Sequence, residues 1–479
     1  MNKNNNNLPI VVDLDGTLIY SDILIETSIS CVKSSFGKFL KSIFLLFIKG
    51  KAAFKEVISN NSDINIEALP YNKELIKWLI NQKENGRRIV LCTGSNYLYA
   101  KKIANHLGIF DEVIASDGTQ NLVGVKKAEF LLNRFGESCF DYVGNSKKDI
   151  PVWNVSKNII LVNCSAALTR KMNSIKIPEL SFPSEKITIF TLFRAIRVHQ
   201  WLKNILLFAP MIASHMLFDF VAFKSTLVAF LAFSGYASAI YILNDLLDLD
   251  NDREHPRKKN RPFASGKLPI HFGFVIMPIL IISSTLIGLS LGSMFMLTLT
   301  SYLALTTLYS FILKPIILVD VITLAMLYTI RIIAGGAAIS ILPLSPWLLA
   351  FSVLLFLSLA IVKRYAELEI QAVEGNIKIK GRGYYTSDAS LIQSIGVASS
   401  FGSILVFILY LNSPEVIQLY NSPNLIWFCI PILIYWQSWM WLNAHRGQMH
   451  DDPIMFSIKD KPSIISGILF ILTIFLAAL

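Results

Sequence analysis

From about residue 200 onward the chain is a series of apolar stretches separated by short polar breaks, and no other feature limits its fold so strongly. Nine stretches lie near residues 203–218, 222–247, 271–290, 293–312, 317–341, 346–365, 390–411, 424–443 and 462–478. Most reach the roughly 20 apolar residues that a helix needs to cross a bilayer. The first is short and contains Pro210 and His215. The chain is 53% hydrophobic and 16% charged, against about 25% charged in ordinary soluble proteins. With a mean hydropathy of +0.52, it is neither disordered nor a purely soluble enzyme. An all-α bundle of nine transmembrane helices is expected over residues 200–479.

The loops after the second, fourth, sixth and eighth stretches carry fifteen Lys and Arg, and the opposite loops carry only Lys224. By the positive-inside rule the basic loops face the cytoplasm. Nine crossings then leave the C-terminus on the opposite side of the inner (cytoplasmic) membrane. Of the net charge of +11, residues 1–199 hold +8, which suits a soluble domain beside the membrane. The chain has no recognition motif or aromatic-and-basic stripe for nucleic acid, so the basic excess reads as membrane orientation.

The five cysteines lack metal-like spacing and read as reduced structural thiols. The opening MNKNNNNLPI lacks the apolar run of a signal peptide, so the first half is expected in the cytoplasm. Residues 1–170 read as one domain, 171–199 as a linker and 200–479 as the membrane domain. Within the linker, residues 186–199 mix Arg194 and Arg197 with an apolar face. Both an interfacial helix and a plain linker helix fit that pattern.

The first half has an α/β pattern. Pro9-Ile10-Val11-Val12 runs into Asp13-Leu14-Asp15-Gly16-Thr17, a buried strand stopped by an acidic turn. Two carboxylates one residue apart at a strand end can share a cleft: one attacks phosphorus and the other moves a proton, while a hard cation bridges to the phosphate. A second short strand, Arg88–Cys92, ends at Thr93-Gly94-Ser95, where a hydroxyl can hold a phosphate oxygen. Gly124-Val125-Lys126-Lys127 opens a helix and supplies a cation. Asp141–Asn145 leads on to Asp149, so Asn145 and Asp149 are candidates to complete a Mg²⁺ site.

These four pieces, in this order, resemble the haloacid dehalogenase superfamily of phosphotransferases over roughly residues 8–170. The resemblance implies a Rossmann-like α/β fold with Asp13 as nucleophile and Asp15 as general acid/base. Thr93 and Lys127 would bind phosphate, Lys127 fitting the Gly-x-x-Lys pattern better than Lys126. Mg²⁺ would be held by Asp13, the Asp15 carbonyl, and Asn145 or Asp149. The helical stretch between the first two motifs would be a cap, and its run Phe44–Ile48 reads either as cap core or as a contact with the membrane surface.

In the second half, Asn244, Asp248 and Asp252 are spaced by four, which places them on one helix face. Acidic groups at the end of a membrane helix are costly unless they serve an ion or substrate. Together with Asp245 they could hold Mg²⁺, and through it a departing diphosphate. Arg253, Arg257, Lys258, Lys259 and Arg261 follow at once, so the site suits phosphate oxygens as well as metal.

This Asn-Asp-x-x-Asp-x-x-x-Asp segment with its Arg-Pro resembles the UbiA superfamily of membrane prenyltransferases, over about residues 190–479. The family's second region matches Tyr309-Ser310, Lys314, Asp320 and Arg331–Gly336, which makes Asp320 a further candidate metal ligand. Leu324 stands where the aromatic prenyltransferases have a second acid. His199–Asn204, Lys363–Leu368 and Arg382 are similar to the polyprenyl-phosphate phosphoribosyltransferases. That branch implies phosphoribosyl pyrophosphate as the phosphorylated sugar donor and a polyprenyl phosphate as the lipid acceptor. Lys203, Arg257, Lys259, Arg261, Tyr309, Lys314, Arg331, Lys363, Arg364 and Arg382 would bind the substrates, and Asn244, Asp248 and Asp252 would form the catalytic face.

Arg331 lies within an apolar stretch and needs a partner there. Asp320 is too far along the helix, which points to a carboxylate from another segment or to a substrate phosphate. The loop at 445–453, with two His and two Asp, has no recognised metal spacing and reads as structural or gating. A fused phosphatase could remove the 5-phosphate from a lipid-linked ribose 5-phosphate. Two other readings are an aromatic prenyltransferase using a polyprenyl diphosphate, and a phosphatase held by a non-catalytic membrane anchor.

Overall fold

A computed structural model describes residues 8–117, 120–184, 186–379, 381–413, 416, 419–449 and 452–478. Of the 445–453 loop, His450 and Asp451 lie outside them. Packing divides the chain into two units. One is the chain up to Ile196 together with Tyr241–Ile276; the other is Arg197–Ile240 with Met277–Leu479. The segment Tyr241–Ile276 thus packs with the N-terminal half, although it lies beyond residue 200.

The first unit is built on a parallel six-stranded sheet: β1 (Ile10–Val12), β2 (Ile89–Asn96), β3 (Glu112–Ser116), β4 (Asp141–Gly144), β5 (Ile159–Val162) and β6 (Leu180–Phe182). The strand order is β3-β2-β1-β4-β5-β6, with Val12 in register with both Leu91 and Val143. The strands are short and rich in Val and Ile because both faces of the sheet are covered. Successive residues point to opposite faces. Ile10 and Val12 pack with Leu75, Leu79 and Ile103 on one side, and Val11 packs with Leu131, Val152 and Trp153 on the other. The order reverses between β1 and β4, which opens a crevice at the carboxyl ends of these strands.

Helices Ile23–Ser34 and Phe36–Asn60 fill the expected cap position between β1 and β2. The Asp22 side chain starts the first by accepting from the Leu24 and Ile25 amides. Phe44, Phe47 and Ile48 on the second are exposed, while Leu45 and Leu46 are half-buried. Of the stretch read as linker, 171–199, β6 belongs to the sheet, so the α/β domain runs past residue 170; the remainder holds a short helix, Ile189–Ala195, with Ile189, Phe190 and Phe193 exposed.

Tyr241–Ile276 is seated on this fold through buried contacts. Arg253 grips Glu26 with two bonds, Nη2 to Oε1 at 2.6 Å and Nη1 to Oε2 at 3.2 Å, and its Nε donates to the Ala264 carbonyl. Ser21 donates to the same carboxylate. Gly266, at φ +75°, lies against Tyr20 and Pro70, where an added Cβ would strike Tyr20.

Eight helices among the described residues are long and apolar enough to cross a membrane: Phe220–Leu247, Ile270–Leu289, Ser293–Leu313, Val319–Ala338, Pro346–Val373, Thr386–Leu411, Pro423–His445 and Lys461–Ala478. The ninth, expected near 203–218, is instead a 3₁₀ run, Val198–Phe208, followed by a short helix, Ala209–Ala213. In the second unit Val319–Ala338 is the most enclosed of these helices. Its Val321, Ala325 and Ile332 pack with Phe356, Leu359 and Trp441. Gly335 lets it approach the 3₁₀ run so closely that a Cβ would collide with the Leu207 carbonyl.

Candidate active sites

The crevice of the first unit holds a pocket of about 880 Å³ lined by Asp13, Asp15, Lys127 and Asn145, among others. Asp13 directly follows β1, and Lys127 stands one turn into the helix that starts after Gly124, with its Nζ donating to Asp13 Oδ1 at 2.8 Å. Lys127 is buried and Lys126 is exposed, so Lys127 is the lysine that reaches the site. Asp15 accepts from the Ile23 amide at 2.8 Å and from Ser95 Oγ at 2.5 Å. Thr93 is fully buried and its hydroxyl accepts the Ser95 amide. The hydroxyl that lines the pocket from this strand end is therefore that of Ser95.

Asp149 is committed to local geometry. Its Oδ1 accepts from the Tyr142 hydroxyl, and its Oδ2 accepts from the Asn145 and Ser146 amides and from Ser146 Oγ. These bonds hold Asn145 over the loop after β1, where a Cβ on Gly16 would run into its amide. Asn163 fastens the same loop by donating to the Gly16 carbonyl at 2.9 Å.

Burial disfavours charge on both acids of that loop. It raises Asp13 above its ordinary range, although Lys127 opposes the shift. Asp15 is pushed up to about 7, first by burial and then by Asp22 and Asp13. Burial also disfavours the Lys127 ammonium, but Asp13 and Asp149 outweigh it and hold the lysine above its usual value.

The acidic motif, also in the first unit, is arranged differently from the expected stripe. The helix Phe220–Leu247 ends before Asp248, and a new one begins at Leu249. Two buried carboxylates seven residues apart, Asp245 and Asp252, converge on Arg261, whose Nη1 lies 3.1 Å from Asp245 Oδ1 and also bonds Asp252. Asp248 is partly exposed, with Lys33 at 4.0 Å. Asn244 is half-buried, while Arg257, Lys258 and Lys259 are exposed. Burial, partly offset by Arg261, raises the pKa of Asp252.

The second unit gathers three further groups. Asp320, fully buried, forms an ion pair with Arg364 at 2.8 Å and accepts from Arg382 at 3.1 Å and Tyr384 at 2.5 Å. Arg364 and Arg382 also pair with Glu367, and Arg382 reaches the Tyr309 hydroxyl at 3.4 Å. Lys203 and Lys363 share Asp452 at 2.9 and 3.4 Å. These two cations overcome burial and hold the Asp452 carboxyl well below its usual range. Among the described residues Arg331 meets no carboxylate, Asp320 included. It bonds Asn204 Oδ1, the Tyr302 hydroxyl and the Leu327 carbonyl, among the rings of Phe233, Tyr302 and Tyr328. Lys314 is half-buried at the end of its helix.

Residues 205–458 match the UbiA prenyltransferase family, and residues 10–152 match the haloacid dehalogenase-like hydrolases. The chain belongs to the UbiA prenyltransferase family. It is 36% identical over 96% of its length, and 89% of the other, to a Sinorhizobium fredii protein described as uncharacterized protein y4nM. It is 35% identical to nodulation protein NoeC of Azorhizobium caulinodans, over 58% of this chain and 91% of that one. A third relative, decaprenyl-phosphate phosphoribosyltransferase of Mycobacterium tuberculosis, is 37% identical over 40% of this chain and 65% of the relative. The chain is thus an integral membrane enzyme in which a UbiA-type transferase part follows a haloacid dehalogenase-like phosphatase part.

Several residues of this UbiA chain are not evident from sequence. Asp452 sits in the loop read as structural, and its pairing with Lys203 and Lys363 joins positions 249 and 89 apart in sequence. Ser95 is hidden behind the stronger signal of Thr93. Lys55 of the cap reaches the Gly94 carbonyl at 2.6 Å and Asn121 at 3.0 Å, although nothing in its helical run marks it.

Proposed function

We propose that the transferase part moves a phosphoribosyl group from phosphoribosyl pyrophosphate to a polyprenyl phosphate, and that the phosphatase part then removes the 5-phosphate. The observation that carries this reading is the supply of cations around the second-unit groups: Arg364 and Arg382 on Asp320, Lys203 and Lys363 on Asp452, and Arg331, which among the described residues has no carboxylate. A donor with both a diphosphate and a separate phosphate needs such a supply. Kinship with a protein named decaprenyl-phosphate phosphoribosyltransferase supports it. We read Asp320 as the anchor of two arginines rather than as a metal ligand, because its oxygens are taken by two guanidiniums and a phenol. That reading leaves the aromatic prenyltransferase alternative without its second acidic site.

In the transfer, a phosphate oxygen of the lipid attacks the anomeric carbon of ribose, and the bond from that carbon to the diphosphate oxygen breaks. Asp245 and Asp252 are the ligands proposed for Mg²⁺, with Asp248 at their side. In this structure both of the first two bond the Arg261 guanidinium, which the ion would displace. No group of three or more His, Cys, Asp or Glu forms a ready metal cage among the described residues. In the phosphatase pocket the donor set is instead Asp13, the Asp15 carbonyl and Asn145, all hard oxygen donors of the kind Mg²⁺ prefers. There the ion would neutralise phosphate charge.

Asp13 attacks phosphorus, the ribose 5-oxygen leaves with the proton of Asp15, and water, deprotonated by Asp15, releases phosphate from the aspartyl-phosphate. Lys127 and Ser95 hold the phosphoryl oxygens. The basic loops and both sites are proposed to be cytoplasmic, with the C-terminus opposite when the 3₁₀ run also crosses.

Mass spectrometry of the lipid made from phosphoribosyl pyrophosphate, polyprenyl phosphate and Mg²⁺ tests the proposal. Wild type should yield polyprenyl phosphoribose, and Asp13→Asn should stop at its 5-phosphate. Without ribosylated lipid from either folded protein, the transferase reading fails.

A further inference from the structure

The phosphatase pocket is walled on one side by residues that phosphoryl transfer does not require. Lys267 and His271 line it, as do Lys186 and Ile187. His271 is the second residue of Ile270–Leu289, a helix long and apolar enough to cross a bilayer. Lys186 and Ile187 lead directly into Ile189–Ala195, whose Ile189, Phe190 and Phe193 are exposed. Two pieces of chain with membrane-facing character, far apart in sequence, therefore reach the same pocket. Lys267 and His271 are solvent-exposed on that wall, and the catalytic cation is already supplied by Lys127.

The wall is fixed in place. The buried Arg253–Glu26 pair and the close approach of Gly266 to Tyr20 seat the segment 253–266 just ahead of Lys267. The pocket volume, about 880 Å³, lies toward the upper end of the range for sites that enclose whole ligands and exceeds what a phosphate and one sugar need.

We infer that the phosphatase takes its substrate from the membrane surface, with Lys267, His271 and Lys186 holding a second anionic group of a lipid-borne phosphomonoester while Asp13 attacks the first. This deepens the proposed function and rests on it for the identity of the sugar. A phosphomonoester carried on a lipid phosphodiester has both anions. A free sugar phosphate has only one.

The test is phosphate release by the full chain in vesicles from three probes: polyprenyl phosphoribose 5-phosphate, phosphatidylglycerol phosphate and free ribose 5-phosphate. The double variant Lys267→Ala/His271→Ala is expected to lower kcat/KM for the ribosyl lipid by about tenfold or more, the loss of a charge-assisted contact. Hydrolysis of free ribose 5-phosphate should stay unchanged, and Lys267→Arg should retain most lipid turnover. Equal wild-type turnover of free and lipid-borne substrates overturns the inference, as does a lipid preference that survives the double variant. If phosphatidylglycerol phosphate is cleaved with the same Lys267 dependence and the ribosyl lipid is not, the pocket assignment stands and the ribose reading falls. No Asp13-dependent release from any probe overturns both.

Discussion

Asp15 sits between the Ile23 amide and the Ser95 hydroxyl, and burial pushes it up to about 7. A general acid acts while protonated, so turnover should fall as pH rises through this value, and it should fall again on the acid side, where Asp13, also raised by burial, takes up a proton and loses the carboxylate that attacks. Asp15→Asn cannot pass a proton. It should lose roughly 10²–10⁴-fold in rate together with the basic limb of the profile, read as phosphate release against pH; a limb unchanged in that variant would assign the titration elsewhere. At this scale the sequence is informative where a residue type is tied to a turn. Asp13, Asp15 and Lys127 are legible because a strand end or a helix start places them. The partners of Arg331 are not, because its acceptors come from Asn204 and Tyr302, and an uncharged oxygen leaves no pattern to search for. Thr93 draws attention as the strand-end hydroxyl, yet its oxygen is used by the turn that presents Ser95.

β1, β2 and eight of the long helices are legible as elements because buried parallel strands and membrane helices are both continuous apolar runs, told apart by length; β3, β5 and β6 carry no motif and go unmarked. The segment after residue 197 is not, since an apolar run with a proline predicts burial without choosing between α and 3₁₀ geometry. The break at Asp248 is also hidden, because spacing by four assumes an unbroken helix. Gly335 is where two elements meet backbone against backbone, and a methyl there has only the Leu207 backbone to push against. Gly335→Ala should therefore cost about 1–3 kcal/mol, seen as a lower midpoint in thermal unfolding of the detergent-solubilised protein. Gly467, where an added methyl would meet no atom within 4 Å, should accept alanine without that loss.

Across the whole molecule, what sequence does not foresee is that Tyr241–Ile276 packs with the N-terminal half. Motifs locate chemistry along the chain, but they do not tell which segments share a core. The buried Glu26–Arg253 pair shows the consequence. Glu26→Ala strands a guanidinium away from water and should destabilise by about 3–5 kcal/mol, whereas replacing both residues by methionine should recover most of that loss. Thermal unfolding of the single and double variants distinguishes the two outcomes; equal destabilisation by both would mean that the pair is not what holds the segment.

That interleaving bears on how such a gene can be divided. A cut near codon 200 looks natural, since it parts a soluble reading frame from a hydrophobic one. The upstream product would then carry Glu26 without Arg253, and the pocket beside Asp13 would lose the wall that ends at His271. Two such genes would have to be inherited and expressed together, with their products reassembling around a shared ion pair. A single open reading frame spares the cell that stoichiometric problem.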